Sequence, residues 1–426
     1  MSPLLRAAGR RTFASLRIHH NYRLFFGGQV VSLAGTWMQN VALAWFVVEL
    51  TSSPLAVGFL AFCRFLPFTL FGLVSGVLAD RLDNRRLVIG TQTASMLVSI
   101  ALAVLAFSGA AEAWHAYALA ALGGTALVFD APGRHALTFQ MVGRAELPNA
   151  IALNASLFNA SRLIGPAIAG FVIATAGVAA CFAVNAVSFL AVLASLLLMR
   201  EDELVQLERE ERPTLVAGVR EGVAYVLHSP RLRLLLAMTT VVSTVGFNFH
   251  VLVPVLASET LQAGPEVFGL LSAAFGGGAL VGALLTAALG RASWKVLLLG
   301  NAGFAVTLLA LAPQRNAVLA GALLFVIGAC FTLWTSNSQS ILQLTAPDHL
   351  RGRVLSLYLF AFAGLAPLGS LFAGWLAEVG GTDLAFGLAG ASAALMTAFA
   401  FVSTRPRGWA DALRRVAAQR PTKSVI

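Results

Sequence analysis

Twelve apolar stretches follow one another along 426 residues, at about 24–48, 55–79, 87–108, 114–133, 150–176, 179–199, 232–257, 267–289, 294–312, 317–338, 354–377 and 384–403. Each is close to the ~20 residues that a helix needs to cross the hydrocarbon core of a bilayer. Lipid offers backbone N–H and C=O groups no water partner, so a span of this length must satisfy them within its own helix. Only 11% of the chain is charged and 58% is hydrophobic, whereas a soluble domain carries about 25% charged residues. The implied fold is all-α and integral to a membrane, with twelve transmembrane helices joined mostly by short connections.

Basic residues give this chain a direction. If both termini are cytoplasmic, the outer connections fall near residues 50, 112, 178, 262, 314 and 380, and Arg315 is their one basic residue. The same outer segments hold Glu49, Glu112, Glu259, Glu266, Glu378 and Asp383. Of the other 28 Lys and Arg, Arg64 and Arg162 lie within spans and 26 lie in inner connections or tails. The positive-inside rule counts Lys and Arg and disregards acids, so it places both termini in the cytoplasm of a multi-pass protein of the bacterial inner membrane. The net charge of +10 then reflects topology and anionic lipid, not a nucleic-acid partner. The basic residues from Arg405 to Lys423 follow a span directly and fit lipid headgroups.

One inner connection is long and charge-rich, running from Arg200 through Glu211 and Arg212. It divides the chain into a cytoplasmic basic arm (1–22), a first six-helix unit (23–200), a linker (201–230), a second six-helix unit (231–404) and a basic tail (405–426). Within the linker, Leu215, Val219, Val223, Val226 and Leu227 have the spacing of an amphipathic helix lying on the membrane surface; a solvated linker is the alternative. The halves resemble each other. Gly165-Pro166 and Gly170 in the fifth span are matched by Ala366-Pro367, Gly369 and Gly374 in the eleventh, with the two prolines 201 residues apart. Such repetition predicts two pseudo-symmetric bundles about an axis along the membrane normal, with a cavity between them.

Several chemistries are disfavoured. Cys63, Cys181 and Cys330 are isolated and lie in apolar stretches, so neither a disulfide framework nor a zinc site is expected. Lys295 and Lys423 are the only lysines and neither follows Gly, which excludes a Walker phosphate loop and direct ATP hydrolysis. There is no HExxH, and the 7 histidines do not cluster. No cofactor or metal is expected, and no enzyme.

The most specific motif is Gly76-Val77-Leu78-Ala79-Asp80-Arg81-Leu82-Asp83-Asn84-Arg85-Arg86, after the second span. It resembles the loop between helices two and three of the major facilitator superfamily, with Asp83 where the general pattern has a second glycine. The resemblance covers about residues 18 to 404. Phe129-Asp130-Ala131-Pro132-Gly133-Arg134, then Asn149-Ala150 and Gly165-Pro166, resemble the branch containing the enterobactin exporter and related drug-efflux permeases. It implies the major facilitator fold. The Gly165, Pro166 and Gly170 pattern is similar to a helix-five signature associated with antiporters, which favours export; an ordinary Pro kink is the plain alternative.

At the inner face, Asp80 ends a helix where it can meet the eleventh helix near Arg353, and Asp130 can pair with Arg81 or Arg85. Together with Gly76 and Arg134 these charges would form a cytoplasmic latch. Exposed pairs contribute about 0–1 kcal/mol each, while inverting a two-state population from 1:99 to 99:1 takes roughly 5.5 kcal/mol. Such a latch biases a cycle without locking it. The alternative is that these charges only enforce topology.

Arg64 lies about nine residues into the second span and Arg162 about twelve into the fifth, too deep to be assumed to reach water by snorkelling. A midplane charge costs roughly 2.5–3.5 kcal/mol even on lenient scales, so each should face a wet cavity or a partner. They lead the candidates for contact with an anionic or polar substrate, beside Gln39, Asn40, Asn154, Asn159, His250 and Trp334; capping by buried carbonyls or amides is the plainer alternative. For proton coupling the candidates are Asp130, His250 and Glu49 in that order. The expected activity is secondary active transport by alternating access: proton-coupled export of a small amphipathic or anionic molecule, such as a siderophore or drug, by a monomer in contact with membrane lipid. A solute importer of the same fold would reverse the flux, a passive channel would show single-channel current, and a membrane-embedded enzyme would need clustered His and carboxylates that the sequence lacks.

Overall fold

A computed structural model describes residues 12–205, 215–347 and 350–404, without the side chains at 73, 77, 79, 80 and 215–219. The first eleven residues of the basic arm, linker residues 206–214, Asp348, His349, the tail beyond 404 and the Asp80 side chain therefore lie outside the described residues.

The chain opens with helices α1 (His20–Thr51), α2 (Pro54–Arg81) and α3 (Asn84–Ser108). The next helical stretch, Ala113–Leu197, breaks at Gly143 (φ 66°) and Gly177 (φ 78°). That leaves α4 (113–142), α5 (144–176) and α6 (178–197). After a surface helix, Leu215–His228, come α7 (Pro230–Thr260), α8 (Pro265–Leu289), α9 (Trp294–Leu311) and α10 (Ala317–Thr345). The final stretch, to Thr404, breaks at Gly380 and Gly381 (φ 67°) into α11 (351–379) and α12 (382–404). Among the described residues twelve membrane-length helices result, all with apolar segments.

Local chemistry sets the ends. The Ser53 hydroxyl accepts from Ala56 N at the start of α2, the Asp83 carboxylate from Arg86 N at the start of α3, and the Asn316 amide oxygen from Val318 and Leu319 N at the start of α10; each satisfies an N–H that the helix cannot. Helix α4 continues to 142 and α5 begins at 144, where the apolar runs alone suggest 133 and 150. Arg134, His135 and Gln140 end the apolar run without ending the helix, which stops only at Gly143, in a left-handed conformation that glycine adopts without a Cβ penalty. Helix α10 similarly runs to Thr345, beyond the expected 338.

Within the first half, α1 and α3 pack on the 113–197 stretch; within the second, α8 and α9 pack on α10, and α9 on the 366–404 stretch. The halves meet chiefly where α2 crosses α11 and α5 crosses α8. At both crossings glycine faces glycine: a Cβ on Gly58 would sit 2.9 Å from Gly374 Cα, and one on Gly170 would sit 3.0 Å from Gly269 Cα. Side chains on the outside are apolar and exposed, as at Leu299, Val318 and Leu395, which suits lipid contact.

Candidate functional site

Inside the first half, α4 turns Asp130 inward, where it is 3% exposed. Its Oδ1 accepts from Thr91 Oγ1 and Gln92 Nε2, both at 2.8 Å, and its Oδ2 accepts from Arg134 Nε at 2.9 Å and from Arg134 Nη2. Arg134 also donates through Nη1 to Gln29 Oε1 on α1. Three helices thus converge on one buried ion pair. The expected partners of Asp130, Arg81 and Arg85, are not the ones it uses. Arg134 lies one helical turn from Asp130, where i,i+4 side chains meet, while Arg85 turns away to Glu201 and the carbonyls of Leu196 and Leu197.

A second set of amides lies deeper along α1. Gln39 Oε1 accepts from Ser99 Oγ at 2.6 Å and Asn185 Nδ2 at 2.7 Å, and Ser188 Oγ donates to Asn185 Oδ1. Between the two sets is a cavity of about 110 Å³ whose lining includes Gln29, Asn40, Arg64, Gln92, Asp130 and Arg134. Two buried groups there lack a hydrogen-bond partner among the described residues: Gln29 Nε2 and Gln92 Oε1.

Both deep arginines lie near the seam between the halves. The Arg162 guanidinium lies 4.7 Å from the ring centre of Phe275 on α8 and 5.8 Å from that of Trp37 on α1. The Arg64 guanidinium lies 5.9 Å from the neighbouring Phe65 ring. That ring meets His250 of α7 edge-on at 5.0 Å, and His250 Nε2 is 2.9 Å from Ser370 Oγ on α11. Among the described residues neither guanidinium has a carboxylate partner. Pro166 lies on the same seam, where a Cβ on Gly269 would sit 2.5 Å from its carbonyl oxygen, while Gly165 packs within the first half, where a Cβ would sit 2.5 Å from Trp37 Cβ on α1.

Hydrogen bonds and a ring stack join the halves at the end away from the first and last described residues. There Ser53 Oγ and Leu55 N, at the start of α2, donate to Glu378 Oε2 on α11 at 2.8 and 3.1 Å. The Trp45 and Phe268 rings stack across the halves at 5.7 Å. At the opposite end, Arg353 pairs with Glu221 of the surface helix Leu215–His228, and Tyr225 OH donates to Thr345 O.

Other candidates are placed apart from this site. Trp334 is 1% exposed within the aromatic interior of the second half, against Phe304 and Phe331. Asn154 accepts from Tyr22 OH near the start of α1, Asn159 donates to Ala155 O of its own helix, and Glu49 Oε1 accepts from Trp45 Nε1 at the far end of α1. No Cβ contact within 4 Å constrains Gly76. Gln29, Thr91, Gln92, Ser99 and Asn185 escape the sequence reading. Their signal was available: polar groups inside apolar helices must find partners, and so tend to mark a common interior.

Among the described residues no three His, Cys, Asp or Glu are grouped as metal ligands. What the arrangement offers is a buried ion pair beside a small polar cavity, and two cations flanked by aromatic rings at a joint between halves.

A family model described as transmembrane secretion effector, one of the major facilitator group, matches residues 10–422. The chain is 26% identical over 389 residues to the staphyloferrin A transporter of Staphylococcus aureus (strain NCTC 8325 / PS 47), covering 90% of this chain and 96% of that one. It is 28% identical over 362 residues to the multidrug efflux pump Tap of Mycolicibacterium fortuitum, covering 83% and 88%. Among solved structures, the nucleoside transporter NupG superposes with a TM-score of 0.71 at 10% identity, covering 91% of this chain and 100% of that one, and shares the fold.

Proposed function

Because this chain belongs to the transmembrane secretion effector family of the major facilitator superfamily, we propose that it exports a small amphipathic or anionic molecule in exchange for protons. Residues 23–200 and 231–404 act as two six-helix units that rock about the α2–α11 and α5–α8 crossings, with the termini on the cytoplasmic side. The contacts of Glu378 and of the paired glycines then close the periplasmic end, and substrate loads from the cytoplasm. The siderophore and drug-efflux names of the relatives support export.

One observation carries the reading: Arg64 and Arg162 lie deep in the helices, beside aromatic rings, with no carboxylate partner among the described residues. Arg64 is ten residues from the start of α2, or about 15 Å at 1.5 Å per residue. A charge at such depth requires compensation, and a passing anion supplies it. The aromatic faces add apolar contact and cation–π attraction of about 0.5–2 kcal/mol.

For the coupling proton we propose Asp130, the one of the three candidates whose carboxylate is buried beside a polar cavity. A proton entering down the membrane potential contributes about 2.3 kcal/mol per 100 mV. We further propose that the end of α2 bearing Gly76, Asp80 and Arg81 meets α11 near Arg353 when the cytoplasmic end closes, Arg353 then leaving Glu221. Everted membrane vesicles test the function: substrate should accumulate on energisation and drain when a protonophore is added. Accumulation untouched by the protonophore would remove proton coupling, and uptake only in right-side-out vesicles would make the protein an importer.

A further inference from the structure

The cavity inside the first half, about 110 Å³ in this arrangement of the helices, is smaller than the ~300 Å³ at which ligand pockets begin. Its lining holds Arg64 and Arg134 at one charge and Asp130 at the other, so neither a bare metal cation nor a simple anion meets a consistent field. Two of its groups, each 4% exposed, lack partners of opposite kind: Gln29 Nε2 has a hydrogen to give, and Gln92 Oε1 has a lone pair to fill. A single molecule that both accepts and donates answers both, and water does so. At ~30 Å³ per molecule the space holds about three or four waters. The lining runs from Gln29 to Leu43 along α1, fourteen residues or about 21 Å, and Ser32, Thr36 and Ser95 bring hydroxyls to it.

We infer that this cavity is a hydrated proton chamber, in which ordered waters bridge Gln29 and Gln92 and connect Asp130 with Arg64 and the seam. The inference rests on the proton-coupling reading above. In the transfer step a hydronium in the chamber gives one proton to Asp130 Oδ2 and becomes water; the hydrogen bonds from Arg134 Nε and Nη2 to that oxygen are lost. Arg134 remains cationic and keeps its bond to Gln29 Oε1. In the reverse step the Asp130 O–H bond breaks and the proton returns to water on the other side of the membrane. Coupling therefore depends on the volume of the chamber as well as on the carboxylate.

Gly123 lines the chamber, and a Cβ there would meet only Val98 Cγ1, at an ordinary 3.7 Å. Gly123→Ala should be tolerated, and Gly123→Leu should fill the space without touching Asp130. The first test is a density map of the wild-type protein in lipid nanodiscs at a resolution that shows water. Waters bonded to Gln29 Nε2 and Gln92 Oε1 are expected, and a dry cavity overturns the inference whatever drives transport. The second compares protonophore-sensitive accumulation of a radiolabelled macrolide, an amphipathic drug of the class proposed above, in everted vesicles. Gly123→Leu should lose at least tenfold and Gly123→Ala little; full coupling in correctly folded Gly123→Leu overturns the chamber alone. Wild-type accumulation that ignores the protonophore overturns the coupling reading, and the chamber's role with it. If the macrolide is not carried, the density map decides.

Discussion

The two halves of this chain have similar helix counts and differently weighted interiors. The first is held together by amides, hydroxyls and a buried ion pair: Gln29, Gln39, Thr91, Gln92, Ser99, Asp130, Arg134 and Asn185. The second has an aromatic cluster at its centre: Phe247 and Phe331 stack at 4.3 Å and 6°, Phe249 and Phe275 at 4.6 Å, and Phe304 and Trp334 complete it, with Asn301 of α9 donating to Ala393 O and Thr397 Oγ1 of α12 beside it. A polar interior can change its charge state and rearrange its hydrogen bonds. A packed aromatic interior resists such change and offers a stiff apolar wall. Under the function proposed above, the first half handles the proton and the second is its stiffer counterpart.

The largest expected effect comes from splitting the ion pair. Arg134→Met leaves Asp130 buried without its cation and should cost about 3–5 kcal/mol, with the double replacement Asp130→Leu, Arg134→Met recovering most of it. Thermal unfolding of purified protein in detergent reads both, and a single variant as stable as wild type would erase the contrast between the halves. Next, Arg162→Gln removes the cation at the seam while keeping a polar side chain. Export of an anionic substrate should fall at least tenfold, about 1.4 kcal/mol, at unchanged expression; equal transport would mean that Arg162 serves packing alone.

A smaller effect is expected in the second half, where Phe331→Leu keeps most of the volume and loses the ring geometry. About 0.5–1.5 kcal/mol of stability should go, with proton coupling intact; a selective loss of coupling would place proton handling in the wrong half. The smallest belongs to Asp383→Asn. Arg315 donates to both Asp383 oxygens at 2.9 and 2.7 Å, and these bonds raise the Arg315 pKa above its ordinary value. The pair is open to water and salt, where ion pairs contribute little, so the melting temperature should not move measurably.

Much of this architecture is legible in the chain. The twelve spans follow from apolar length, and Arg64 and Arg162 stand out because a charge is expensive where they lie. Helix ends were less legible, because Arg134 and Gln140 stop hydrophobicity without stopping a helix, and only Gly143 breaks the backbone. Asp130 was recognisable but its partner was misjudged: an i,i+4 arginine on its own helix outcompetes one on another. The meeting of Gly58 with Gly374 and of Gly170 with Gly269 depends on helix rotation and on which helices cross. Sequence spacing cannot supply either. The same holds for Trp334, which points into an aromatic core, and for Asn154, which lies beside Tyr22.

The most direct test reconstitutes the protein in liposomes and follows proton and substrate together under an imposed pH gradient, for wild type and Asp130→Asn. Wild type should move the two in opposite directions, and Asp130→Asn should still exchange labelled for unlabelled substrate while losing gradient-driven accumulation. Accumulation by Asp130→Asn at the wild-type level would contradict a first half built to carry the proton.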